Sequence, residues 1–324
     1  MAQAMKIVVV GDVMLDRYVD GRLERFSQEA PVPVFDCDHT RYYPGGAANV
    51  AANVAALGEN CFLVGCVGSD DAAADLLVVL RGLCIESDLV VCSDRLTTIK
   101  SRYCVAGQQI FRTDSETRSP VRDQRVLKAA LRALDGASAL VISDYGKGVI
   151  AGLETRDLVT LLDLALISMP VIVDAREGFW RFRGATVVKP NRIELDGTTA
   201  SDGVHKQASE LRGIVGCSAV VATLGADGMV VANSDGEMDI PAHYREVADV
   251  IGAGDTVAAA LAVEMARGKS VVQAARFANA AAAVVVGKRG TATATRAETE
   301  AVLDADHPRD EILKDYRVSW SVAR

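Results

Sequence analysis

Residues 45–67 read GGAANVAANVAALGENCFLVGCV. The Ala-rich run over 45–58 ends at Gly58, which is the composition and stop signal of a helix. A continuous apolar run from Cys61 to Val67 follows at once, as a strand buried on both faces requires. Upstream, Met5 to Val10 (MKIVVV) is a run of the same kind. Downstream the alternation repeats. Asp70 and Asp71 offer an N-cap to a helix over roughly 72–82. A helix over 121–134 precedes a strand at 139–143, and a helix near 153–166 precedes a strand at 171–174. Residues 185–191 form a strand whose exit is fixed by Pro190, then 205–215 is helical and 218–225 extended. Two long Ala-rich helices, 254–267 and 270–286, close the pattern. Strands alternating with helices predict an α/β fold: a largely parallel central sheet flanked by helices.

Two stretches depart from that alternation. Residues 13–43 carry short alternating segments, YVDGRLERF and PVPVFDCD, and residues 97–114 alternate polar and apolar around Gly107, a hairpin signal. Half-buried strands outside the main sheet predict a small β lid inserted into one domain that spans 1–324. Residues 306–324 are charged and aromatic and receive no assignment.

Composition narrows the function. The 324 residues are 50% hydrophobic but only 5% aromatic, which suits helices packed closely on a sheet. Net charge is −8, so general binding to nucleic acid or to an anionic membrane is not expected. An anionic ligand must instead be held locally, by helix N-termini, a few Lys or Arg, or a metal ion. The seven cysteines include no Cys-x-x-Cys, and the four histidines are unpaired, so neither a zinc site nor a disulfide framework is expected. No run is long enough for a signal peptide or a bilayer span, and the expected location is the cytoplasm.

Four segments carry chemistry. In Asp249-Val-Ile-Gly252-Ala253-Gly254-Asp255-Thr256 two glycines lead into a helix start. Backbone N–H groups and the helix dipole can there hold a phosphoryl group or developing negative charge. Asp255, in the first turn, can take the proton of an attacking hydroxyl, or can be a simple cap. Gly45 and Gly46 permit close backbone approach before a helix whose Asn49 offers a donor and an acceptor to a sugar hydroxyl. Lys189-Pro190-Asn191-Arg192-Ile193-Glu194 follows a strand end, where open α/β sheets bind ligands. Lys189 could face phosphates, and Asn191 with Glu194 could hold hydrated Mg2+. Thr223-Leu224-Gly225-Ala226-Asp227-Gly228 ends another strand, and its plainer reading is a hairpin turn.

Taken in order, Gly45-Gly46…Asn49, K-P-N-x-x-E, T-L-G-x-x-G and D-x-x-G-A-G-D resemble the signatures of the ribokinase (PfkB) carbohydrate kinases over roughly residues 5–290. The segments VVVGDVMLDRYVDG, FSQEAPVPVF, QQIFRTDSE and SDYGKG more narrowly resemble the heptose 7-phosphate kinase branch. The resemblance implies a ribokinase-like fold and ATP-dependent phosphorylation of the anomeric hydroxyl of D-glycero-D-manno-heptose 7-phosphate for lipopolysaccharide inner-core synthesis. It implies Asp255 as base with the 252–254 backbone as anion hole, and Asp16 and Asn49 on sugar hydroxyls. It also implies Asn191 and Glu194 on the magnesium nucleotide, and Thr223, Gly225 and Asn279 beside the adenosine. A monovalent cation could be served by backbone carbonyls near Asp249. A homodimer through the lid is a further expectation. No H-x-G-H nucleotidyl-transfer motif occurs, so adenylyl transfer is expected of a separate adenylyltransferase downstream.

The sugar's own phosphate calls for a local cationic pocket. Lys147, in Ser143-Asp144-Tyr145-Gly146-Lys147, follows a strand end on the ligand side, and Asp144 belongs to the same substrate-side group. Arg102 sits in the lid segment and could close over that phosphate, although a solvated surface charge is nearly as good a reading. Two decoys are set aside. Gly268-Lys269-Ser270 lacks the first Gly of a P-loop, since Val263 stands in its place. Gly146-x-Gly148-x-x-Ala151 with Asp174 is a loose dinucleotide fingerprint, which makes an NAD-dependent dehydrogenase the runner-up. A non-catalytic sugar-phosphate sensor is the third class, disfavoured by the intact Asp255.

Overall fold

A computed structural model describes residues 4–243 and 246–305. The unassigned segment 306–324 lies outside the described residues. The apolar runs become a nine-stranded sheet. Its first strand in the chain, β1 (Lys6–Gly11), lies in the sheet interior, because the alternation of its side chains sends Ile7 and Val9 to one face and Val8 and Val10 to the other, all four fully buried. The lid segments begin directly after it with β2 (Val13–Phe26) and β3 (Pro33–Gly46), followed by β4 (Asn60–Val67), β5 (Glu86–Val91), β6 (Thr98–Val105) and β7 (Gln108–Ser115). The chain then runs through β8 (Ala139–Asp144), β9 (Val171–Ala175), β10 (Val187–Val188), β11 (Ala219–Thr223), β12 (Met229–Asn233) and β13 (Gly236–Ile240). The main sheet has the order β13-β12-β11-β10-β9-β8-β1-β4-β5, with β12 alone antiparallel to the rest. Strand order reverses at β1, so the strand ends around β1 and β8 form the crevice in which such sheets bind ligands.

Helices cover both faces. One carries α1 (Ala47–Ala56), α2 (Asp71–Gly82), α8 (Ala253–Ala266) and α9 (Val271–Val286). The other carries α3 (Gln124–Ala133), α5 (Thr155–Leu166) and α7 (Val204–Val215), while the short α4 (Val149–Gly152) and α6 (Arg192–Asp196) follow strand ends. Asp70 caps α2 by accepting the Ala73 N–H at 3.0 Å, as its position predicts. Helix α8 is apolar around its whole circumference, and every residue from Asp255 to Glu264 is buried. It lies between α1, α9 and the sheet, and this interior position carries Asp255 to the middle of the molecule.

The lid segments form a second sheet of order β3-β2-β6-β7. The short alternating segments expected over 13–43 are in fact two 14-residue antiparallel strands, bent by register shifts at Asp20/Gly21 and Leu23/Arg25. Sequence reading splits them because Gly21 and the charged pairs interrupt the alternation. The hairpin at Gly107 is present, with Ala106 and Gly107 both at positive φ. The strand expected over 185–191 shrinks to two residues, since Pro190 has no N–H to donate; Lys189 N–H still reaches the Val173 carbonyl at 2.8 Å, and an isolated bridge, Asn191 to Thr223, follows.

Candidate active site

Asp255 stands in the first turn of α8, 3% exposed, and lines one of two neighbouring cavities, while Ala253 and Gly254 just before it line the other. Gly252, at φ 80°, lets the chain enter the helix in a left-handed conformation. A Cβ there would lie 2.5 Å from the Asn49 Nδ2, so only glycine lets α1 and the α8 entry approach this closely. Thr256 N–H makes the first i→i−4 bond of the helix, to the Gly252 carbonyl at 3.0 Å. The preceding N–H groups of Gly254 and Asp255 remain at the helix mouth.

Both oxygens of Asp255 accept hydrogen bonds. Tyr145 Oη donates to Oδ1 at 2.6 Å, and Asn49 Nδ2 donates to Oδ2 at 2.8 Å. Burial, and then the charge of Asp174, push the carboxyl up to about 7, against the lowering influence of these two donors and Lys189. A carboxylate so poised is suited to general-base work near neutral pH. Asp174 and Lys189 form an ion pair of 3.1 Å beneath the site. Burial holds Asp174 above its ordinary range even with Lys189 opposing.

The first cavity, about 590 Å³, lies between Asp255 and the second sheet. Strand alternation sends Met14 and Asp16 of β2, Lys100 and Arg102 of β6, and Arg112 and Asp114 of β7 toward it. Arg118, Lys147 and Arg176 complete a set of six cations. Arg102 donates to Asp16 Oδ1 at 2.7 Å, with Thr291 Oγ1 on the other oxygen at 2.9 Å. Lys147 pairs with Glu116 at 2.7 Å, and Arg118 shares that carboxylate. Burial raises the Glu116 carboxyl, but the bonds from Lys147 and Arg118 outweigh it and hold the group below its ordinary range. The loop that carries Tyr145 and Lys147 is organised by Asp12, whose carboxylate accepts the N–H groups of Tyr145, Lys147 and Val149 at 2.8–3.0 Å.

The second cavity, about 820 Å³, runs from Asp174 and Lys189 to an apolar end made by Leu224, Val250, Ala282 and Val286. Lys189, Asn191, Glu194, Thr223, Gly225, Asn279, Ala253 and Gly254 all line it, so the expected nucleotide-side residues converge. Tyr145 and Arg176 line both cavities, with the Arg176 guanidinium 4.7 Å from the Tyr145 ring centre. The T-L-G-x-x-G segment is the hairpin between β11 and β12, and it also lines this cavity.

Several expected residues are placed differently. Asn49 is fully buried behind Asp255, and its carboxamide is occupied by Asp255 and Asn53, leaving no face for a sugar hydroxyl. Gly45 also stands behind the cavity wall: a Cβ there would lie 3.0 Å from Asp16 Oδ2, while Gly46 lines the cavity. Asp144 lines the second cavity rather than the first, because strand alternation turns it away from Asp255. Burial, then the neighbouring Asp12 charge, raise its carboxyl to about 6. Asn191 and Glu194 form a reciprocal capping box on α6, with Asn191 Oδ1 accepting Glu194 N–H and Glu194 Oε2 accepting Asn191 N–H. Asn279 Nδ2 donates to the Pro241 carbonyl at 2.8 Å and so fixes the loop after β13. Among the described residues no three His, Cys, Asp or Glu side chains stand together as a metal cluster. No described helix is long and apolar enough to cross a membrane. Sequence reading missed Asp12, Tyr145, Arg176, Asn53 and Thr256. Only the six-residue run SDYGKG and the GD that follows β1 give a signal for the first two.

The pattern of the pfkB family carbohydrate kinases matches residues 4–298. The chain belongs to that family. As a member it is a carbohydrate kinase by descent. Among its relatives, the bifunctional protein HldE of Azorhizobium caulinodans is 44% identical over 93% of this chain, and that of Caulobacter vibrioides 42% over 91%. The alignments cover 65% and 62% of those proteins, so the chain spans less than two thirds of their length. Phosphofructokinase-2 of Escherichia coli superposes with a TM-score of 0.76 at 22% identity, covering 93% of this chain and 98% of that one. Thermotoga maritima ribokinase gives 0.71 at 21%, covering 93% and 99%. These two likenesses establish the ribokinase-like fold.

Proposed function

We propose that this chain transfers the γ-phosphoryl group of ATP to the anomeric hydroxyl of D-glycero-D-manno-heptose 7-phosphate, giving the 1,7-bisphosphate. The observation that carries this reading is the set of six cationic side chains on the walls of the cavity that also holds Asp255. Arg102 and Arg112 stand directly opposite each other across β6 and β7, each held by a carboxylate of the same sheet, Asp16 at 2.7 Å and Asp114 at 2.8 Å, which keeps both guanidinium groups together on the cavity wall. A neutral sugar does not need such a wall, whereas a sugar phosphate does. The 44% identity to a protein named HldE, together with the resemblance of SQEAPVPV to heptose 7-phosphate kinases, supports the heptose. That tract itself lies in the exposed connection of β2 and β3 and contributes nothing to the cavity lining.

In this reading Asp255 removes the proton of the anomeric hydroxyl as that oxygen attacks phosphorus. The positive end of α8, with the N–H groups of Gly254 and Asp255, faces the charge that develops on the transferring group. Lys189 and Arg176 serve the phosphates, and the apolar end of the second cavity takes the adenine, with Thr223 and Asn279 at its rim. Mg2+ when bound supplies charge neutralisation on the nucleotide. Glu194 fits such an ion, since it lines the cavity and one of its oxygens is outside the capping box. The Asn191 oxygen is engaged by the helix first. The second sheet covers the sugar cavity as a lid, and a dimer through that sheet remains part of the proposal.

The test is kcat/KM for the heptose with and without its 7-phosphate, in wild type, Arg112→Ala and Lys147→Ala. A charge-assisted contact is worth about 1.5–3 kcal/mol, so each variant is expected to lose roughly ten- to a hundredfold of the preference for the phosphorylated sugar. Unchanged preference in both variants would place the phosphate elsewhere.

A further inference from the structure

Behind Asn49 lies a second asparagine that touches neither cavity. Asn53, one turn further along α1 and fully buried, donates from Nδ2 to the Asn49 carbonyl at 2.9 Å and to Asn49 Oδ1 at 3.2 Å. Its own Oδ1 accepts the Thr256 hydroxyl of α8 at 3.0 Å. Thr256 is fully buried as well and adjoins Asp255 in sequence. The chain Thr256–Asn53–Asn49–Asp255 therefore links two helices that are more than 200 residues apart in sequence.

The direction of every bond in this chain is fixed at one point. The Asn49 backbone carbonyl can only accept, so the Asn53 amide must turn its NH2 group toward it. The Asn53 oxygen then faces Thr256, whose hydroxyl donates. The same NH2 group meets Asn49 Oδ1, which must be the oxygen, and the Asn49 NH2 is left facing Asp255. A flipped Asn49 would set a carbonyl oxygen against the carboxylate, and would leave buried polar groups unpaired along the chain. A buried network with every member satisfied is what holds one such orientation.

We propose that Asn53 and Thr256 are positioning residues for phosphoryl transfer: they lock the Asn49 carboxamide with its N–H toward Asp255 and so keep that base ionised and aimed. The proposal rests on Asp255 being the base. Other groups face Asp255 too. Tyr145 donates to it from the loop after β8, Asp174 of β9 opposes its charge, and Lys189 after β10 favours it. Across the sugar cavity stand Asp16, Arg102, Lys147 and Arg176. None of these contacts Asn53 or Thr256, so the relay can be altered while they stay in place.

The experiment is the pH profile of kcat in wild type, Asn53→Ala, Thr256→Val and Thr256→Ser, with Tm recorded for each and Asp255→Asn as the reference. Loss of the lock weakens a hydrogen bond to the charged form, so the acid limb in Asn53→Ala should move up by about one pH unit. The rate should fall about tenfold near pH 6 and recover most of the way near pH 9. Thr256→Val, nearly isosteric, should move the limb in the same direction by less, and Thr256→Ser, which keeps the hydroxyl, should bring it back toward wild type. A uniform fall of kcat at all pH values, with the limb unmoved in folded Asn53→Ala and Thr256→Val, would reduce the relay to packing and overturn the proposal. Near wild-type turnover in Asp255→Asn would instead remove the base itself, and the functional reading with it.

Discussion

In the proposed reaction, Asp255 concentrates the chemistry in one carboxyl. Its burial raises its proton affinity, and two donors keep the ionised form accessible. Asp255→Asn is expected to lose about 10²–10⁴-fold in kcat while still binding nucleotide, which a turnover assay with a parallel nucleotide titration checks. The same shift has a stability consequence. The folded protein holds this proton up to about pH 7, whereas an unfolded Asp releases it near 3.8. Between those values the folded state binds more protons, so this group costs stability as pH rises through that window. The difference in Tm between Asp255→Asn and wild type is therefore expected to shift in favour of the variant from about pH 4 to about pH 7 and to stay flat above. A difference independent of pH would contradict the assigned shift. Tyr145→Phe removes the donor to Oδ1 and nothing from the sheet, so the acid limb of kcat should move upward with the fold intact, as measured by the pH profile together with Tm. Asp255 was legible as a carboxylate in a Gly-rich helix start. Tyr145 was not, because a tyrosine two residues beyond Ser143 is an ordinary strand-end residue until β8 is seen to deliver it to α8.

The elements of the main sheet were legible because their side chains are apolar on both faces, a pattern with few alternatives. The second sheet was half legible. Its hairpin at Gly107 announces itself, whereas β2 and β3 are continuous only because cross-strand pairing carries them through Gly21 and the charged positions. The sugar side suffered for it: Lys100, Arg112 and Asp114 share a face only through a register that sequence does not state. Asn49 shows the converse failure. A polar residue one turn into a helix that follows two glycines reads as a ligand contact, yet the close approach of α1 to α8 turns it inward. Helix α6 separates capping from metal binding. Asn191→Ala breaks the capping box and should cost about 0.5–2 kcal/mol of stability in denaturant unfolding. Glu194→Gln keeps an acceptor for Asn191 N–H while removing the charge. It should unfold like wild type but need more Mg2+ for half-maximal rate. A Glu194→Gln enzyme with an unchanged Mg2+ requirement would leave Glu194 a cap alone.

At the scale of the whole molecule, the two sheets share the work around one carboxylate. The main sheet, switching direction at β1, builds the apolar second cavity and sets Lys189 and Asp174 beneath Asp255. The second sheet contributes Asp16, Lys100, Arg102 and Arg112 from above and closes the cationic first cavity. A chain with net charge −8 thus gathers six cations on one cavity wall, a local pocket of the kind the sequence leads one to expect at Lys147 and Arg102, to which the fold adds Lys100, Arg112, Arg118 and Arg176. The central claim is that a phosphoryl group passes from one cavity to a hydroxyl of a sugar phosphate in the other. The most direct measurement is 31P NMR of the protein incubated with ATP, Mg2+ and D-glycero-D-manno-heptose 7-phosphate, with the unphosphorylated heptose run in parallel. A new anomeric phosphate resonance growing in step with ADP, much faster from the 7-phosphate than from the free sugar, is the predicted result; ADP without a second sugar phosphate, or equal rates from both sugars, would contradict it.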